Sequence, residues 1–102
     1  MIRHIVFFTV LPENYDAVRS GLAILVGIPY ARRIEIGDNL HFDHWSKEIS
    51  LVVYGEFDSQ QSLDAFKKHP LYLDSISKVK DLRELRFAAD YCTNKAIVSS
   101  GR

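Results

Sequence analysis

One cysteine, Cys92, is all the thiol the chain owns. A lone thiol closes no intrachain disulfide, and with no CxxC partner it makes no redox pair, so a reducing, cytoplasmic setting is the expectation. Glycine is also scarce: the five residues are scattered, and none builds the clustered loop that cradles a phosphate. No apolar run approaches the ~20 residues a membrane helix needs. The opening stretch "MIRHIVFFTVL" is broken by Thr9 and ended by Pro12 and Glu13, with no small-residue cleavage site after it, so it reads as a strand and not as a leader. Charge of one sign is lacking too. Lys plus Arg and Asp plus Glu each number 13, and a net charge of zero argues against nucleic acid as a partner.

What is present is an alternation of periods. In 1–11, Ile2, Val6, Phe8 and Val10 share one side of an extended segment, and Ile5, Phe7 and Leu11 share the other, so this strand asks for burial on both faces. From 14 to 26 the spacing becomes helical, with Tyr15, Val18, Leu22 and Leu25 in register, Glu13 and Asp16 near the start, and Gly27 and Pro29 as the stop. "ARRIEIGDNL" alternates charged and apolar residues, the pattern of an edge strand with Ile34 and Ile36 inward. "HFDHWSKE" reads as a loop, and 49–57 as a strand apolar on both sides apart from Glu56.

A helix is expected over 59–68, capped by Asp58 or Ser59, with Gln61 placed to complete a capping box and with Leu63 and Phe66 inward. Proline at position 70 offers no backbone N–H and disfavours helix at the residue before it; the helix should stop near His69 and a second should start at Pro70. Leu73, Ile76 and Val79 are expected to be the buried side of that second helix. "LRELRFAADY" closes the pattern as a strand with Leu85, Phe87, Ala89 and Tyr91 on one face. Residues 1–92 thus make one α+β domain of order βαββαβ, a ferredoxin-like antiparallel four-stranded sheet with helices on one face, and 93–102 are expected to be a flexible tail. The first and third strands are central in that topology, and they are the two whose residues are apolar on both faces. The uncovered sheet face would be a large apolar patch, so a twofold homodimer with sheets packed face to face is expected.

With "IRHIV", "IPYARRIEIG", "LVVYGEFDS", the His69-Pro70 step and the Asp90-Tyr91 pair in this order over about residues 2–91, the chain resembles the stress-responsive A/B barrel (Dabb, dimeric α/β barrel) family. The resemblance implies a homodimer whose sheets form a barrel, and no assigned reaction. A plant polyketide cyclase of that family, which closes a ring by aldol condensation, is similar from "IPYARR" to "FAADY". The resemblance puts its catalytic histidine at Tyr72, that histidine's tyrosine partner at Phe66 and a further pocket histidine at Leu51. Only His4 and His69 match its histidines. A phenol titrating near ~10 replaces an imidazole titrating near ~6.5 at the position of the base, so the cyclase mechanism does not transfer as it stands.

Several polar residues are candidates for a ligand pocket. His4 sits among Ile2, Val6 and Phe8, an apolar setting in which an imidazole is either a hydrogen-bonded core group or the polar anchor of a cavity. His69 reads first as a helix-boundary residue serving a loose backbone group. Tyr54, Phe66 and Tyr72 complete the candidate pocket between sheet and helices. His41, Asp43 and His44 have metal-binding side chains but sit together on one loop without the rigid spread a metal site needs, so no metal and no cofactor are expected; Trp45 beside them is expected to pack on the barrel rim or on a dimer partner. The leading expectation is a homodimer that binds a small apolar molecule without a defined reaction. Beside it stand a small acid–base enzyme, of cyclase or cofactor-free oxygenase type, using His4 or His69, and a purely structural dimer.

Overall fold

The computed structural model describes residues 1–99, and the last three residues of the expected tail lie outside them. Four strands, β1 (Ile2–Val10), β2 (Arg33–Asp38), β3 (Leu51–Phe57) and β4 (Arg83–Cys92), form one antiparallel sheet in the order β2-β3-β1-β4. The helices are α1 (Tyr15–Ala23), α2 (Gln60–Lys68) and α3 (Pro70–Val79), and short 3-10 turns flank α1 and follow β4. This is the ferredoxin-like arrangement, with β1 and β3 central and β2 at an edge.

The register decides which side chains share a face. His4, Val6 and Phe8 of β1 lie level with Gly55, Val53 and Leu51 of β3, and the apolar side chains of this row, with Val10, are buried under the helices. They form the core with Val18, Leu22 and Leu25 of the first helical segment and Leu63 and Phe66 of α2. Each fully buried Leu or Phe contributes about 1.5–3 kcal/mol through its apolar area, which makes this layer the main stabilising term.

α2 and α3 are separated by one extended residue. His69 adopts φ −67° and ψ 142°, as a residue before proline must, and Pro70 then opens α3. At the start of α2 the cap is Ser59, whose Oγ accepts the Ser62 N–H at 3.2 Å. With Ser59 as N-cap, the third helical position falls on Ser62, so the reciprocal Gln61 contact has no place.

The inward side of α3 differs from expectation. Leu73 is 58% and Ile76 40% exposed, and the buried residues are Ser75 and Val79, four apart, with Leu71 half-buried one turn earlier. A strict three-residue spacing drifts around a helix of 3.6 residues per turn, and the four-residue spacing keeps the face. Burying Ser75 is made tolerable by its Oγ, which donates to the Gly21 carbonyl of α1 at 2.9 Å. Gly21 is required at that crossing: a Cβ there would stand 2.7 Å from Val79 Cγ2.

The loop between β2 and β3 is exposed throughout 40–48, and Trp45, 91% exposed, packs on nothing among the described residues. Its N–H instead bonds Asp43 Oδ1 at 2.7 Å in a side-chain turn, which holds the backbone and leaves the indole outside. No group of metal-ligating side chains gathers there or elsewhere among the described residues. No helix among them is long and apolar enough to cross a membrane.

Candidate functional site

β4 is exposed along nearly its whole length on the helix side as well as on the open side. A gap lies between the helices and β4, and it deepens into a cavity of about 420 Å³ lined by residues of α2, α3, β1, β3 and β4. The floor is apolar, built from Val6 and Phe8 of β1, Val53 of β3, Leu22 and Leu25, and Phe66 of α2. Phe66 is held edge-on between Phe57 and Tyr72, with ring centroids 5.1 and 5.6 Å away, so this aromatic wall is fixed in place.

One polar group enters that floor from the sheet. His4 is 3% exposed, lines the cavity, and lies directly across from Asp90 in the β1–β4 register. His4 Nδ1 is 2.5 Å from Asp90 Oδ1. A carboxylate only accepts hydrogen bonds, so Nδ1 carries the proton and Nε2 keeps its lone pair. Nε2 has no hydrogen-bond partner among the described residues. Burial pushes the imidazole below its usual value of 6.5, and the hydrogen bond and charge of Asp90 oppose that shift; Lys67 and Arg86 add to it. The ring is therefore neutral at pH 7, oriented by a carboxylate and basic at the nitrogen left free: the arrangement that lets a histidine take a proton from a bound molecule.

The other residues singled out from the sequence fall in different places. Phe66 and Tyr72 line the cavity with His4. Tyr54 lies opposite Ile5 on the other side of the sheet, where its hydroxyl donates to Glu56 Oε2 at 2.6 Å. His69 is outside the cavity lining. Its Nδ1 accepts the Leu71 N–H at 3.1 Å, capping α3, and its ring meets Tyr30 edge-on at 6.3 Å. That is the helix-boundary role. Leu51 is fully buried in the core. Asp90, by contrast, was visible in the sequence only as half of a family motif; its partnership with His4 depends on strand register, and 86 residues separate the two.

The uncovered sheet face carries Phe7, Leu85, Phe87 and Tyr91 as exposed large residues, with half-buried Ile5 and Val52 between them. Arg3 bridges to Tyr91 Oη at 2.9 Å at one end of this face.

Among curated proteins none matches the chain. Solved structures share the fold. A dimeric ferredoxin-like protein of unknown function from Jannaschia sp. is 20% identical over 90% of this chain and 98% of its own, with a TM-score of 0.80. A dimeric protein of ferredoxin-like fold from Bacteroides fragilis, also of unknown function, is 22% identical over 88% and 93%, with a TM-score of 0.73. A Nitrosomonas europaea protein provisionally described as an antibiotic biosynthesis monooxygenase is 21% identical over 90% and 97%, with a TM-score of 0.76. At these identities the likeness speaks for the fold alone. The family model of the stress responsive A/B barrel domain, Dabb, matches residues 2–93, and with the ferredoxin-like fold in place the chain belongs to the Dabb family.

Proposed function

We propose that the chain is a homodimeric binding protein that holds a small, largely apolar molecule in the cleft between sheet and helices. The observation that carries this reading is the cavity itself: about 420 Å³ of apolar floor with His4 as a convergent polar group, the composition of most small-molecule sites. The dimer half of the proposal rests on Phe7, Leu85, Phe87 and Tyr91, which form a contiguous exposed face of the kind a monomer rarely keeps, and on the dimeric state described for two proteins of the same fold. The face lies on the side of the sheet opposite the cavity, so sheet-to-sheet packing leaves the mouth open. The single thiol fits a cytoplasmic protein. Native mass spectrometry of freshly purified protein tests both halves at once. A dimer mass with a retained small molecule is the expected spectrum. A monomer at micromolar concentration refutes the pairing, and a dimer that takes up no apolar ligand on addition refutes the cleft.

A second reading, acid–base catalysis, is favoured by one contact, His4 to Asp90. The free Nε2 would accept a proton from an activated carbon of the bound molecule, while Asp90 stabilises the imidazolium formed. His69, the other histidine considered for this role, lies outside the cavity lining, with its Nδ1 capping α3. Deuterium exchange into acetylacetone, followed by NMR, is the check: the protein should accelerate exchange and His4→Gln should not, with the variant shown to be folded by circular dichroism. Equal rates from both proteins would leave His4 a structural group.

A further inference from the structure

The mouth of the cavity is lined by Lys67 of α2, Lys80 just after α3, and Arg83 and Arg86 of β4. These basic residues come from both walls of the gap, and among the described residues no carboxylate lines the cavity with them; Asp90 reaches it only through His4. The clustering is not a matter of composition, because the chain as a whole is neutral. Nor are these cations held by partners. None of the four at the mouth makes an ion pair among the described residues, whereas Arg19 pairs with Asp38, Arg32 with Asp58, Arg33 with Glu35 and Lys78 with Asp74; the exposed Lys47, Lys68 and Lys95, scattered over the surface, are likewise without one. Like charges gathered around a concave opening repel one another and raise the energy of the empty protein. Arg86 also follows from the strand pattern: it lies level with Phe8, on the helix side of a strand whose helix side is uncovered. Its charge, with that of Lys67, is felt at the floor, where both disfavour protonation of His4.

Resting on the binding reading above, we propose that the ligand is an anionic amphiphile: an apolar body that fills the floor against Phe66, Val53 and Leu22, and an oxyanion headgroup, such as a carboxylate, that lies at the mouth between Lys67, Lys80, Arg83 and Arg86. Arginine side chains suit this role because their forked donors match a carboxylate in two parallel hydrogen bonds. The headgroup relieves the mutual repulsion of the four cations, and the walls of low polarisability strengthen its attraction relative to water.

Isothermal titration with three eight-carbon probes, octanoate, octan-1-ol and octylamine, tests this. Octanoate should bind at least about tenfold more tightly than octan-1-ol, the equivalent of one charge-assisted contact. Its advantage should shrink at high salt, and octylamine should be the weakest of the three. The double substitution Arg83→Gln with Arg86→Gln should abolish the preference for octanoate while octan-1-ol still binds and the melting temperature does not fall. Equal binding of octanoate and octan-1-ol by the native protein would overturn the anionic reading and leave the apolar cleft standing. Binding of neither would sink both.

Discussion

His4 is a polar residue placed where the sequence pattern asks for an apolar one, and its neighbours decide what it does. Burial disfavours its charge, Asp90 restores part of it, and Lys67 and Arg86 oppose protonation from the mouth side. The consequence for stability has a definite sign. The folded imidazole titrates below 6.5, so as pH falls past that value the unfolded chain takes up a proton that the folded chain refuses. Stability contributed by the neutral ring is present above 6.5 and is lost on acidification, until the folded His4 titrates in its turn. Denaturant midpoints taken from neutral to mildly acidic pH should therefore fall more steeply for the native protein than for His4→Gln. Parallel curves would show that the ring is not held neutral. None of this was legible from position 4 alone. Alternation of apolar residues identified the buried side of β1, and His4 with it, but the carboxylate that orients the ring comes from a strand whose register no local pattern encodes.

At the scale of elements, punctuation was easier to read than orientation. Pro70 has no N–H to give and constrains the residue before it, so the break between α2 and α3 follows from covalent chemistry, and the His69 ring found a backbone donor at that break as a capping residue would. The inward face of α3 was not legible in the same way. Leu73 and Ile76 look like core residues by hydropathy, yet Ser75 goes inside, because the serine hydroxyl can be satisfied by Gly21 across the crossing with α1. That crossing is tight enough to test. In an ordinary helix, replacing glycine by alanine gains about 0.5–1 kcal/mol. Here the new methyl would meet Val79 Cγ2, a buried β-branched side chain with little freedom to turn away, so Gly21→Ala should instead cost about 1–3 kcal/mol. Adding Val79→Ala should make the alanine at 21 less costly than it is alone, a coupling that a double-mutant cycle by urea unfolding would measure. Additive costs would mean that the two helices do not meet there.

The whole molecule is two layers, helices on a sheet, with the other face of the sheet bare. Helices seal one side of the sheet; on the other, Phe87 is 53% exposed with Phe7 directly across from it. Apolar residues on both sides of β1 made this legible before any coordinates, since a strand buried on one face alone alternates with polar residues. A charge placed at the centre of the patch should prevent a second sheet from covering it. Phe87→Glu is expected to shift the protein to monomer in sedimentation at micromolar concentration, at little cost to the fold of a side chain already half in water. A persistent dimer would place the interface elsewhere. The loop with Trp45 belongs to this scale too: packing on the rim was one expectation for it, and among the described residues the indole has no neighbour to pack on.

β4 carries both halves of this story on one backbone. Beyond the register shift that turns Arg83 to the cavity, its even-numbered residues Arg86 and Asp90 serve the cavity, and its odd-numbered ones, Leu85, Phe87 and Tyr91, serve the open face. A strand bonded to a single neighbour and bare on both surfaces is the part of the sheet most free to fray. Whatever covers one side of it must steady the other. Under the proposed function, assembly and capture of a small molecule would be thermodynamically linked, each lending affinity to the other in equal measure. Diluting the protein through its dissociation range should weaken ligand binding, and saturating ligand should hold the pair together at dilutions where the empty protein comes apart.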